Sequence, residues 1–147
     1  MTPQLRAEKS AEAMMASDNA SRDLGMRIIT IAPGAATLTM RITDKMLNGH
    51  SICHGGYIFT LADSAFAFAC NSYNNLTVAQ QNQITYIAPG KAGELLTASA
   101  RETALSGRSG VYDVAVTGED GRMVATMRGL SRTIKGTLFV EDGESTA

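Results

Sequence analysis

The chain has 147 residues, enough for one domain with its own core. Apolar residues make up 44% and charged residues 18%, the balance of a globular chain rather than a disordered one. The formal net charge is −1 and no run of Lys or Arg occurs, which argues against a nucleic-acid surface.

The opening residues, MTPQLRAEKSAEAMMAS, lack the apolar core of a signal peptide, so a cytoplasmic protein in a reducing compartment is expected. Pro3 to Ala16 predicts a helix with Ala and Met on one side and Arg6, Glu8, Lys9 and Glu12 on the others. Ser17 or Asp18 is placed to cap a second short helix running to Asp23, which Gly25 stops. Met26 to Ile31 and Ala35 to Ile42 read as strands joined at Pro33-Gly34 into a hairpin. A polar, irregular loop, Thr43 to His54, then leads into Gly55-Gly56.

Residues Gly55 to Cys70 predict a helix that is apolar nearly all the way round. It falls short of the ~20 residues that span a bilayer and carries a charge near its middle, so it reads as a core helix. That charge, Asp63, is the helix's only ionisable carboxylate or base. An unpaired buried carboxylate is costly, and Asp63 is read as the working residue. After Asn71 four strand-like runs follow, at Val78–Ile87, Glu94–Thr103, Ser109–Thr117 and Arg122–Thr133. Pro89-Gly90, Ser106-Gly107-Arg108 and Gly118-Glu119-Asp120-Gly121 separate them, and the four are expected to form an antiparallel meander. One buried helix with about six antiparallel strands makes an α+β domain whose sheet curls around the helix. The expected organisation is a single domain over 1–147, with a helical segment over about 1–25 and a flexible tail over 141–147.

The spacing carries chemistry. The first turn of a helix leaves backbone N–H groups without partners, and Gly55-Gly56 lets a ligand approach them closely, as an oxyanion site requires. The same pair also serves a tight loop-to-helix junction. Eight residues separate Gly55 from Asp63, ~12 Å along a helix axis, too far for both to act on one carbonyl. If both act, the second group comes from another subunit, which predicts a symmetric dimer with two composite sites. Asn48 is placed to donate to the same oxygen or to hold its loop by local hydrogen bonds. His54, one residue before the helix, is a structural hydrogen-bonder or a base, the former favoured. His50, Cys53 and His54 do not have zinc spacing, Cys53 and Cys70 form no disulfide framework, and no metal is expected. Cys70 reads as a small core residue. Thr60 and Ser64 pair with no His on their face, so a Ser-His-Asp triad is unsupported, and no dinucleotide or P-loop glycine pattern is present. Arg108, Arg128, Arg132 and Lys135 could meet phosphates but read as solvated charges.

The segment LNGHSICHGGYIFTLADSAFAFACNS resembles the phenylacetate-degradation (PaaI-type) branch of the hotdog-fold acyl-CoA thioesterases. ITYIAPGKAGELLTASA and SGRSGVYDVAV resemble the strand segment and the hairpin that follow in that family, and the likeness runs from about Ala16 to Ile134. It implies a hotdog fold, protomers joined through their sheets into a homodimer or homotetramer, and hydrolysis of an aryl-acetyl-CoA without a cofactor. Carried over, Gly55 matches the oxyanion glycine, Asn48 the asparagine beside the thioester and His54 the supporting histidine. Asp63 of the partner subunit matches the nucleophile or general base. Relatives place a Ser or Thr on the strand after the helix; here that region reads Ala79-Gln80-Gln81-Asn82, and a Gln stands in. Substrate contacts are assigned to Gly56, Gln81, Asn82, Arg108 and Ser109, with neither nucleic acid nor membrane as partner. The rival readings are a hydroxyacyl-thioester dehydratase or hydratase using His54, and a non-catalytic acyl-CoA-binding protein.

Overall fold

The structure, a computed structural model, describes residues 1–142. Helix α1 (Pro3–Ser17) starts where the Thr2 hydroxyl accepts the Leu5 N–H, with Pro3 in the first turn, where a missing N–H is harmless. Asp18 caps α2 (Asn19–Asp23) by accepting the Ser21 N–H. Strands β1 (Arg27–Ala32) and β2 (Ala35–Arg41) form the expected hairpin. Helix α3 (Gly55–Cys70) has the bounds read from the sequence, and β3 (Thr77–Tyr86), β4 (Leu95–Ser106), β5 (Ser109–Thr117) and β6 (Met123–Thr133) follow.

All neighbouring strands pair antiparallel, in the order β1-β2-β4-β5-β6-β3. Alternation points Ala36, Leu38 and Met40 of β2, Leu96, Ala98 and Ala100 of β4, and Tyr112, Val114 and Val116 of β5 inward, where all are buried. Bulges in β1, β3, β4 and at the start of β6 bend the sheet. The curved sheet wraps α3, whose Ile58, Leu61, Ala62, Ala65, Phe66, Phe68 and Ala69 fill its hollow. Phe66 meets Tyr112 edge-on at 5.5 Å and lies over Gly129, where a Cβ would come within 2.8 Å of its ring. A helix wrapped by a curved antiparallel sheet is the hotdog arrangement. Among the described residues no helix is long and apolar enough to cross a membrane.

The expected four-strand meander is corrected. Only β4, β5 and β6 run as consecutive hairpins; β3 pairs with β6 at the far edge of the sheet. The turn at Gly107-Arg108 is a true two-residue hairpin, with Gly107 at φ +59. Pro89-Gly90 instead lies in a crossover from β3 to β4. That segment is pinned elsewhere: the Cys53 N–H donates to Gly90 O at 2.9 Å and Arg122 Nη2 donates to Pro89 O at 2.7 Å. A Pro-Gly pair marks a sharp change of direction and does not say which strand comes next. At the C-terminal end, Glu141 is not loose: its carboxylate pairs with Arg6 of α1 at 2.5 Å. The rest of the expected tail, 143–147, lies outside the described residues.

Candidate active site

The loop before α3 is shaped by its own polar groups. Asn48 Oδ1 accepts the His50 N–H at 2.9 Å and the Ile52 N–H at 3.4 Å, and Ser51 adopts φ +61 to make the turn. The loop-holding role read for Asn48 is therefore filled by its oxygen, while its Nδ2 donates to no protein group among the described residues. The chain then reaches His54, which caps α3. His54 Nδ1 accepts the Gly56 N–H at 2.9 Å, and its backbone N–H donates to Met46 O at 2.7 Å. An accepting Nδ1 leaves the ring proton on Nε2.

The cap decides which amide is open. The Gly56 N–H, assigned to substrate from sequence, is taken by His54. The Gly55 N–H has no protein acceptor among the described residues. It lies at the edge of a cavity of about 350 Å³ lined by Asn48, Ile52, Gly55, Ile58, Tyr86 and Ile87 among others. Tyr86 closes one side: its hydroxyl donates to Gly55 O at 2.9 Å, and a Cβ on Gly55 would come within 2.9 Å of its ring.

Farther along α3, Asp63 is half-buried, and Asn82 Nδ2 of β3 donates to its Oδ1 at 2.7 Å. Burial raises the Asp63 pKa from its ordinary value; the Asn82 hydrogen bond opposes the rise and the Asp18 charge adds to it. Asn82 Oδ1 is itself buried and receives no donor. Ser64 is tied to the N-terminal segment: its Oγ lies 2.7 Å from Ser21 Oγ, which donates to Asp18 Oδ2 at 2.7 Å. With the Ser21 proton spent on Asp18, Ser64 is the donor. Thr60 Oγ1 donates to Gly56 O at 2.8 Å, so neither hydroxyl belongs to a nucleophile–base pair.

Four assigned contacts stand apart from the cavity within one protomer. Gln81 is exposed beside the β3 bulge, and its neighbour Asn82 is the residue that reaches Asp63. Arg108 and Ser109 sit at the β4–β5 turn. Ser109 opposes Arg132 on β6, whereas Tyr86 opposes Ala125. Seven residues of strand make that separation about 23 Å.

Residues 50–125 match the family model described as the thioesterase superfamily. The chain is 43% identical over 136 residues to the acyl-coenzyme A thioesterase PaaI of Escherichia coli (strain K12), covering 92% of this chain and 97% of that protein. The chain belongs to the thioesterase superfamily. The solved structure of the E. coli PaaI protein from the phenylacetic acid degradation operon superposes with a TM-score of 0.91 at 42% identity, covering 92% of this chain and 99% of that one. The smu.793 protein of Streptococcus mutans UA159, solved bound to acetyl CoA, superposes with a TM-score of 0.72 at 29% identity, covering 76% of this chain and 90% of that one.

In this superfamily member, Asn48 and Gly55 line one cavity, His54 caps the helix beside them, and Asp63 lies eight residues beyond Gly55 on the same helix. Sequence reading missed Tyr86 and the apolar wall of Ile52, Ile58 and Ile87. Tyr86 is 31 residues from Gly55, and no periodicity links a strand end to a helix start. It also missed the bond from Asn82 to Asp63, although both residues had been singled out separately. Among the described residues no three His, Cys, Asp or Glu side chains gather as a metal site.

Proposed function

We propose that this protein is an acyl-CoA thioesterase that hydrolyses aryl-acetyl-CoA thioesters, such as phenylacetyl-CoA or hydroxyphenylacetyl-CoA, to the free acid and CoA. The observation that carries this reading is the Gly55 N–H, left open by the cap at the edge of a cavity that Asn48 also lines. That N–H and Asn48 Nδ2 are two donors available to a thioester carbonyl as it gains negative charge under attack. The wall of Ile52, Ile58, Ile87 and the Tyr86 ring suits a flat, apolar acyl group.

The attacking side is assigned to Asp63 of the partner subunit as general base. Its pKa, raised by burial, makes it a stronger base than a free Asp. Asn82 holds one carboxylate oxygen, and the orphaned Asn82 Oδ1 provides a further acceptor for a water nearby. The base takes a proton from water as the oxygen bonds to the thioester carbon; collapse of the oxyanion breaks the C–S bond, its electron pair leaves on sulfur, and the proton held by the base passes to it to release the CoA thiol.

Strand β3 supplies the means of assembly, as an edge with no strand on its outer side, with Val78, Tyr86 and, just past its end, Ile87 about half exposed. Gly55 touches Tyr86 and Asp63 touches Asn82, so a two-fold axis midway between Gly55 and Asp63 passes β3 near Ile84. Antiparallel pairing of two β3 strands about that point sets each Gly55 against the other protomer's Asp63. The same pairing carries Arg108 and Ser109 of one protomer toward the other protomer's cavity, as candidates for the CoA portion. Both cysteines are free and buried, in keeping with a cytoplasmic enzyme.

The dehydratase alternative needs a histidine base, and His54 Nδ1 is already occupied by the Gly56 N–H. The deciding experiment measures thiol release from a panel of aromatic and straight-chain acyl-CoAs by wild type and Asp63→Asn. Aromatic substrates should be preferred, and Asp63→Asn should lose about 100-fold or more in kcat while still binding CoA. Undiminished turnover in Asp63→Asn, or no thiol release by wild type, rejects the reading.

A further inference from the structure

The Gly55–Gly56 peptide is held at both of its polar atoms. Its N–H donates to His54 Nδ1 at 2.9 Å, and its carbonyl accepts from the Tyr86 hydroxyl at 2.9 Å. The Tyr86 ring lies against the Gly55 Cα on the side where a Cβ would stand. The neighbouring His54–Gly55 peptide, whose N–H has no protein acceptor among the described residues, shares that Cα. Only the two dihedrals at Gly55 separate the two planes, so with the clamped peptide fixed and the Tyr86 ring packed on the Gly55 Cα the neighbouring peptide has less room to turn. Glycine alone resists such turning poorly.

We propose that Tyr86 is a positioning residue for this reaction: its hydroxyl fixes the Gly55–Gly56 peptide so that the Gly55 N–H stays aimed at the substrate oxygen. The inference rests on the reading of Gly55 as an oxyanion donor. Tyr86 acts from the open edge strand, so the same residue that lines the cavity locks the end of the buried helix. Burial also raises the phenol's pKa from its ordinary value, which keeps it protonated and donating as pH rises.

Tyr86→Phe keeps the ring and removes only the hydroxyl. With phenylacetyl-CoA, kcat should fall about ten-fold with KM changed less than three-fold, since one hydrogen bond to a positioned peptide is lost rather than an oxyanion donor itself. A paired binding measurement separates positioning from general damage. The probes are S-(2-phenylethyl)-CoA, a thioether without the carbonyl, and the ketone analogue with a methylene in place of sulfur. Tyr86→Phe should weaken the ketone several-fold and leave the thioether unchanged. A kcat within two-fold of wild type overturns the inference. So does an equal loss for both analogues, or a fall in kcat accompanied by a melting temperature lowered by more than a few degrees. Wild type that turns over no acyl-CoA rejects the proposed function and this inference together, whereas an active wild type with an unaffected Tyr86→Phe rejects the inference alone.

Discussion

An ionised Asp63 works against folding. Burial raises its folded-state pKa above the ordinary 3.8, so the native state holds that proton more tightly than the unfolded chain does. Between 3.8 and the raised value the native state binds more protons, and stability falls as pH rises through that window and stays lower above it. Asparagine carries no such charge and can still accept the Asn82 hydrogen bond. Asp63→Asn should therefore melt higher than wild type at pH 7, with the gap closing below about pH 4 in calorimetric melts taken across that range. A lower melting temperature at pH 7 would show that the ionised form is favoured by the fold. At this scale the sequence was most informative where a residue type was out of place: one acid in an apolar helix, two glycines at its start. It was silent on partners that only folding brings close. Asn82 and Tyr86 sit in a polar strand with nothing in its pattern to mark the bonds they make, 19 and 31 residues back along the chain.

Among the elements, α3 was legible to the residue because its apolar run, its glycine start and its Asn71 end all agree. Strand β3 was legible as a strand but not in its place, since adjacency in a sheet depends on where the crossover goes. That crossover is anchored by Glu94 and Arg122. The Arg122 guanidinium donates to both Glu94 oxygens and to Pro89 O, and the Glu94 carboxylate, 9% exposed, also accepts the Lys91 and Glu119 N–H groups. The Arg122 hydrogen bond is the main cause holding the Glu94 pKa below its ordinary 4.5. A lowered carboxylate adds stability that is present above 4.5 and lost as pH falls through the lowered value. Arg122→Met should destabilise by about 2 kcal/mol at neutral pH, short of the cost for a fully buried pair, and should flatten this acid-side loss. Urea melts at pH 7 and pH 4 check both parts; an unchanged pH dependence would remove Arg122 as the cause. Because Pro89 and Gly90 also line the cavity, the same variant reports on how the anchor supports the site.

At the scale of the whole molecule, the ~12 Å between Gly55 and Asp63 was readable from spacing alone, and it makes the strongest claim about assembly. In a two-fold pair with composite sites, a protomer damaged at Gly55 still supplies a good Asp63, and a protomer damaged at Asp63 still supplies a good Gly55. Gly55→Ala pushes a methyl into the Tyr86 ring, and Asp63→Asn removes the base; each alone should be nearly inactive. Unfolded together and refolded, random pairing gives half mixed dimers with one sound site in two, so activity should return to about a quarter of wild type. No recovery on mixing would place both groups in one chain's site or in none. What the sequence could not supply was the register of the proposed pairing, which depends on two copies of β3 and on the contacts that tie the start and middle of α3 to it.

The hydroxyl relay from Ser64 through Ser21 to Asp18 reaches past the start of the segment that the family model matches. Shortening the chain to begin near Met26 would uncover Ser64 and take away the negative charge that adds to the rise in the Asp63 pKa. Such a trimmed enzyme would keep every side chain assigned to turnover and yet lose activity at a different acidity, so its pH profile, more than its yield, would reveal what the first two helices contribute.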